Sequence, residues 1–208
     1  MKLSLTALLA SAASSSVIMA TQYCDPATSV CYEQMVEANM GVAYRIAIPN
    51  VAAAPFDILL QIVAPKSVGW AGVGWGGQMT LNPLTLGWAN GDATGVSSRW
   101  APYHSMPGPY AGATYTVLKG SETNSTHWTL TTLCRGCSQW TAQGGGTTSL
   151  DPAATTPVNL AYALSRMMPA EPANNTSSIA YHTARGMLTL DMAAAKTDKF
   201  EEYVQSLS

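Results

Sequence analysis

Val42-Ala43-Tyr44-Arg45-Ile46-Ala47-Ile48 and Phe56-Asp57-Ile58-Leu59-Leu60-Gln61-Ile62 decide the fold class. In the first, Val42, Tyr44, Ile46 and Ile48 alternate with smaller or polar residues. In the second, Phe56, Ile58, Leu60 and Ile62 do so, with Asp57 and Gln61 on the other face. A period of two puts each apolar set on one face of an extended strand. Similar short runs follow at 70–75, 84–89, 94–100, 113–118, 127–134, 158–164 and 186–191. Turn residues separate them at Pro49-Asn50, Ala64-Pro65, Gly76-Gly77, Asn90-Gly91 and Pro107-Gly108-Pro109. Short strands at this spacing, without alternating helices to cover a parallel sheet, predict an all-β antiparallel sandwich or barrel. One helix is expected near the C-terminus, with Asp198 as its cap and Glu201 three residues on. Phe200, Tyr203, Val204 and Leu207 form its apolar stripe, which should cover one end of the sandwich. Residues 141–157, containing Gly144-Gly145-Gly146, and 165–179, containing Met167-Met168-Pro169, read as long loops.

Residues 1–20 carry Lys2, an apolar stretch and small residues ending in Ala20, the pattern of a secretory signal peptide. A single domain over 21–208 remains, with no internal repeat, no linker and no later run long enough to span a membrane. The net charge is −2, and the basic residues form no stripe, which argues against nucleic acid as a partner. All four cysteines, Cys24, Cys31, Cys134 and Cys137, follow the leader. An even count in an oxidising compartment predicts two disulfides rather than a zinc site. Of three possible pairings, Cys24–Cys31 and Cys134–Cys137 are favoured because each couple is close in sequence and flanked by turn residues. Sequons at Asn124, Asn174 and Asn175 fit the same secreted, extracellular destination.

No hydrolytic triad and no phosphate loop stands out. The three histidines are therefore informative. His127 sits in an alternating strand, while His104 and His182 stand in segments suited to ligation and are not separable on residue pattern alone. Among the methionines, Met35, Met40, Met187 and Met192 read as packing residues, and Met106, Met167 and Met168 lie on loops. Met79 follows Gly76-Gly77, which would let backbone approach a flat ligand closely.

Three segments carry a family resemblance. Gly69-Trp70-Ala71-Gly72-Val73-Gly74-Trp75-Gly76-Gly77-Gln78-Met79-Thr80, Asn124-Ser125-Thr126-His127-Trp128, and Cys134-Arg135-Gly136-Cys137-Ser138-Gln139-Trp140 occur in that order. The chain, from about Gly41 onward, resembles the cytochrome domain of fungal cellobiose dehydrogenase, an iron reductase-type cytochrome domain. The resemblance implies an immunoglobulin-like β-sandwich holding haem b. Attachment should be non-covalent, since no Cys-x-x-Cys-His occurs. It also implies Met79 and His182 as the two axial iron ligands. The family's loop between an arginine and a Met-Pro pair corresponds to Arg99–Pro107, near the haem edge. There a family tyrosine bonds a propionate, whereas this chain has His104 at that position and Tyr103 one before.

The function implied is single-electron transfer from a dehydrogenase to a lytic polysaccharide monooxygenase, or to ferric ions and quinones, in plant biomass degradation. With both axial positions filled by protein, the domain itself turns over no substrate. The chain ends at Ser208, leaving open a separate dehydrogenase as donor or a place within a longer protein; a monomer is expected. A competing reading is a haem-free carbohydrate-binding sandwich, with Trp70, Trp75, Trp88 and Trp100 as an exposed aromatic platform.

Overall fold

The computed structural model describes residues 20–208. All but the last residue of the expected leader lies outside the described residues.

Two sheets face each other. The first contains β1 (Thr21–Cys24), β2 (Cys31–Glu37), β3 (Val42–Pro49) and β4 (Ile58–Pro65) in sequential order. The second is built on β5 (Trp70–Gly74), β6 (Pro83–Asn90), β7 (Ala93–Trp100) and the short β8 (Gly108–Pro109). The chain then returns to the first sheet through β9 (Thr114–Val117), β10 (Glu122–Thr123) and β11 (His127–Arg135), with β11 paired to β4. A hairpin of β12 (Gln139–Thr141) and β13 (Thr147–Ser149) leads to β14 (Val158–Ser165) and β15 (Ala184–Leu190), which join β5 in the second sheet. The last elements are a short helix α1 (Met192–Ala195), β16 (Lys196–Thr197) and helix α2 (Phe200–Leu207). Every strand pair is antiparallel except β16 with β3. The expected all-β sandwich with a C-terminal helix is therefore the fold.

The alternation places the core. Tyr44, Ile46, Ile58, Leu60 and Ile62 from the first sheet meet Val73, Leu160, Leu164 and Leu188 from the second, all buried between the sheets. The other face of the first sheet is also closed. Ala47, Leu59 and Leu133 pack there with Phe200 and Leu207, so α2 covers an outer sheet face rather than one end of the sandwich. Asp198 does not cap α2. Lys199 occupies the N-cap position without a side-chain bond, and Asp198 Oδ1 accepts from Asn50 Nδ2 at 2.8 Å. α1 is capped instead, by Asp191 on the backbone N–H groups of Ala193 and Ala194.

Both favoured disulfides, Cys24–Cys31 and Cys134–Cys137, are formed, and no free cysteine remains among the described residues. Cys24 and Cys31 are directly opposed across β1 and β2.

Candidate functional site

The second sheet turns a face outward, and its cross-strand register explains the shape there. Arg185 pairs with Ala163, Ala163 with Gly72, and Gly72 with Leu86. Two residues along, Met187 pairs with Ala161, Ala161 with Gly74, and Gly74 with Leu84. Side chains two apart on a strand share a face. These two rows therefore form a trough with glycine and alanine along its floor and larger residues on both walls. A cavity of about 610 Å³ lies over it, within the range of small-molecule and cofactor sites. Gly74 cannot be replaced by a larger residue without disturbance, because a Cβ there would stand 2.5 Å from the Gln78 carbonyl oxygen.

Two loops close over the trough and bring in the rest of the site. The loop after β5 carries Met79. Gly77 turns it at φ +75°, a conformation glycine adopts freely. Asn82, only 1% exposed, holds it in shape. Its Oδ1 accepts from the Gly76 N–H at 2.9 Å, and its Nδ2 donates to the carbonyls of Gln78 at 2.8 Å and Thr80 at 2.9 Å. Leu81 N–H donates to the Ala101 carbonyl at 2.9 Å, tying this loop to the next. The glycine pair thus shapes the Met79 loop, and Gly77 lines the cavity together with Gly72 and Gly74 of the sheet.

His182 arrives from the opposite side, on the long loop before β15. Thr183 N–H donates to the Leu164 carbonyl at 2.8 Å, which fixes the loop end against β14. Earlier in the loop, Trp70 Nε1 donates to the Ala180 carbonyl at 3.2 Å and Trp88 Nε1 to the Pro172 carbonyl at 2.8 Å. The His182 ring lies 4.1 Å from that of Tyr181, centroid to centroid. Burial, and then the charge of Arg185, hold its pKa below the ordinary histidine value.

Three methionines, Met79, Met106 and Met187, and two histidines, His104 and His182, line the cavity. Burial separates them. Met79 and His182 are half-buried, whereas Met106, Met187 and His104 are exposed. No aspartate or glutamate lines the cavity, and Arg185 is its one lysine or arginine.

The remaining expected site residues diverge. His104 lines the cavity; Tyr103 does not and is 74% exposed. Arg99 also stays outside it, 2% exposed, as a structural clasp. Its Nε donates to Ser97 Oγ at 2.5 Å, Nη1 to the Pro107 carbonyl at 3.1 Å, and Nη2 to the carbonyls of Asn175 at 3.0 Å and Ser177 at 2.6 Å. Ser97 Oγ in turn donates to the Asn175 carbonyl. One guanidinium thus ties the loop carrying Pro107 to the long loop before β15, two of the three loops that border the cavity. The tryptophan platform that the competing carbohydrate-binding reading needs is not formed: Trp70, Trp75 and Trp88 are buried, and Trp100 stacks on Tyr110 at 4.9 Å.

Comparison with known proteins agrees with this geometry. The family model described as the cytochrome domain of cellobiose dehydrogenase matches residues 23–202. A curated relative, the pyrroloquinoline quinone-dependent pyranose dehydrogenase of Coprinopsis cinerea, is 28% identical over 191 residues. That match takes in 90% of this chain and 26% of the relative, so the chain spans about a quarter of the relative's length. The solved cytochrome b domain of pyranose dehydrogenase from Coprinopsis cinerea superposes with a TM-score of 0.81 at 28% identity, covering 91% of this chain and 96% of that one. The cytochrome domain of Myriococcum thermophilum cellobiose dehydrogenase superposes with a TM-score of 0.79 at 20% identity, with the same coverage, a likeness of fold. A family match across nearly the whole described chain, on a sandwich whose outer trough gathers a thioether and an imidazole from distant segments, has one meaning: the chain belongs to the family of the cytochrome domain of cellobiose dehydrogenase, a haem b electron-transfer unit.

Proposed function

We propose that this domain holds haem b non-covalently in the trough, with Met79 and His182 as axial ligands, and relays single electrons from a dehydrogenase to a lytic polysaccharide monooxygenase or to ferric ions and quinones. The observation that carries the reading is the cavity lining. Of the thioethers and imidazoles that line it, the half-buried ones are Met79 and His182. The glycine and alanine floor suits a flat macrocycle, and the lining has no carboxylate to repel propionates.

Haem bound there supplies one-electron redox chemistry at iron, with a thioether ligand favouring the ferrous state. Met79 and His182 would hold the iron through protein donors, and the chemistry supplied there would be outer-sphere electron transfer. Trp70, Leu84 and Leu86 keep water from one wall, and His104 is the candidate hydrogen-bond partner for a propionate. Exposed Met106, Tyr181 and Met187 at the cavity edge offer an apolar, largely uncharged rim for a brief encounter with a redox partner.

Secretion belongs to the same reading. Two disulfides support it, since such bonds form and persist in oxidising compartments. Asn124, Asn174 and Asn175 are all exposed, as glycan acceptors must be. The leader over 1–20 would direct the chain there as a monomer. Stopped-flow mixing of reduced protein with a monooxygenase in oxygen-free buffer tests the relay. Haem reoxidation accelerated in proportion to acceptor concentration supports it; reoxidation at the spontaneous rate with monooxygenases, ferric chelates and quinones refutes it.

A further inference from the structure

We propose that Arg185 sets the electron affinity of this site, its positive charge favouring the reduced form and raising the midpoint potential. The inference rests on the haem reading above and assigns a role to a residue outside the ligand set.

Arg185 heads one of the two cross-strand rows that build the trough, opposite Ala163 and, beyond it, Gly72. It is the lone lysine or arginine in the cavity lining, which holds no acidic residue. Among the described residues the only ion pair joins Arg135 to Asp57 at 3.2 Å, on the other sheet. Arg185 therefore has no carboxylate partner among the described residues.

The electrostatic consequence follows from charge balance. Reduction takes one electron from the donor and converts ferric to ferrous iron, making the bound group more negative by one charge. A fixed cation at the trough wall lowers the energy of that state relative to the oxidised one. Arg185 is exposed, so solvent and salt screen part of this attraction, and its effect is read at fixed ionic strength. Ala163, Gly72 and Leu86 contribute no opposing charge along the row. Arg185 therefore acts as a potential-setting residue, not as a ligand.

Spectroelectrochemical titration of the haem-loaded protein at fixed pH and ionic strength tests this. Arg185→Gln should lower the midpoint potential, Arg185→Glu should lower it further, and Arg185→Lys should restore most of the wild-type value. All three should retain the low-spin spectrum. Because Arg185 is exposed, with no side-chain hydrogen bond among the described residues, these variants should fold normally. Arg135→Gln makes the same change in net charge on the opposite sheet and should leave the potential near wild type. An Arg185→Gln potential equal to wild type, or an equal fall in Arg135→Gln, overturns the proposal. Failure of the wild-type protein to hold haem would instead overturn the reading on which it rests.

Discussion

Replacing Asn82 by alanine should unfasten the loop that presents Met79. The side chain is almost fully buried and makes three hydrogen bonds, accepting from Gly76 and donating to Gln78 and Thr80. At about 1 kcal/mol net for each bond, the loss is roughly 3 kcal/mol, with more if the Gly76 N–H is left unsatisfied. For a domain of this size that lowers Tm by roughly 6–12 °C. Circular dichroism during heating gives the stability, and absorption of the haem-loaded protein reports ligation. Asn82→Ala should lose Tm and show a mixed-spin spectrum as Met79 is released. Asn82→Asp distinguishes hydrogen bonding from volume: its carboxylate still accepts from Gly76 but sets an oxygen against two carbonyls. It should be at least as damaging as alanine. A wild-type Tm and spectrum in Asn82→Ala, or full rescue by aspartate, would refute this role.

Three further outcomes follow from other parts of the molecule. Ala163→Phe fills the trough floor from a position open to the cavity, so the folded protein should lose most of its haem, measured as the Soret-to-280 nm ratio; undiminished loading would place the cofactor elsewhere. Arg99→Met frees the two loops it ties and should cost at least ~3 kcal/mol, given four bonds to a charged donor, with proteolytic nicking appearing first within 103–107 or 172–178; unchanged digestion contradicts the clasp. Burial holds the Glu33 carboxyl above the usual range, against the lowering effect of the Asp191 N–H at 3.0 Å. Because the folded pKa is the raised one, this stabilisation is present below the ordinary carboxylate pKa and is lost as pH rises through the folded value. Glu33→Gln should therefore flatten the pH dependence of urea unfolding and gain stability near neutrality; parallel wild-type and variant profiles would show that Glu33 does not contribute it.

The strands legible in the sequence were those whose polarity matched their burial. In β3 and β4 the apolar set faces the core, so period-two alternation found them. β2 escaped because its pattern is inverted: Glu33 and Glu37 are buried while Val36 is 40% exposed. β1, β8, β10, β12, β13 and β16 are too short, at two to four residues, to show a period. The same distinction divides the site. Met79 and His182 were reachable through family resemblance, since no spacing rule links residues that only the fold brings to one cavity. Asn82 and Arg185 were missed because loop hydrogen bonds and cross-strand register are not written in local sequence. The trough did leave a signal. Gly72 and Gly74 alternate with Ala71 and Val73, and Ala161 and Ala163 alternate with Leu160, Tyr162 and Leu164. Two strands with small residues at alternate positions mark a face built to receive something flat. Arg99 shows the opposite failure, since a conspicuous arginine beside the site bonds to backbone rather than lining the cavity.

Near-infrared magnetic circular dichroism of the ferric haem-loaded protein tests the central claim most directly, because thioether–imidazole and bis-imidazole ligation give different charge-transfer bands. The wild type should show the thioether–imidazole band. Met79→His should convert it to the bis-imidazole band while remaining low-spin, and Met106→Leu and Met187→Leu should leave the wild-type band in place. A wild-type spectrum without the thioether band, or its persistence in Met79→His, would contradict iron ligation by Met79.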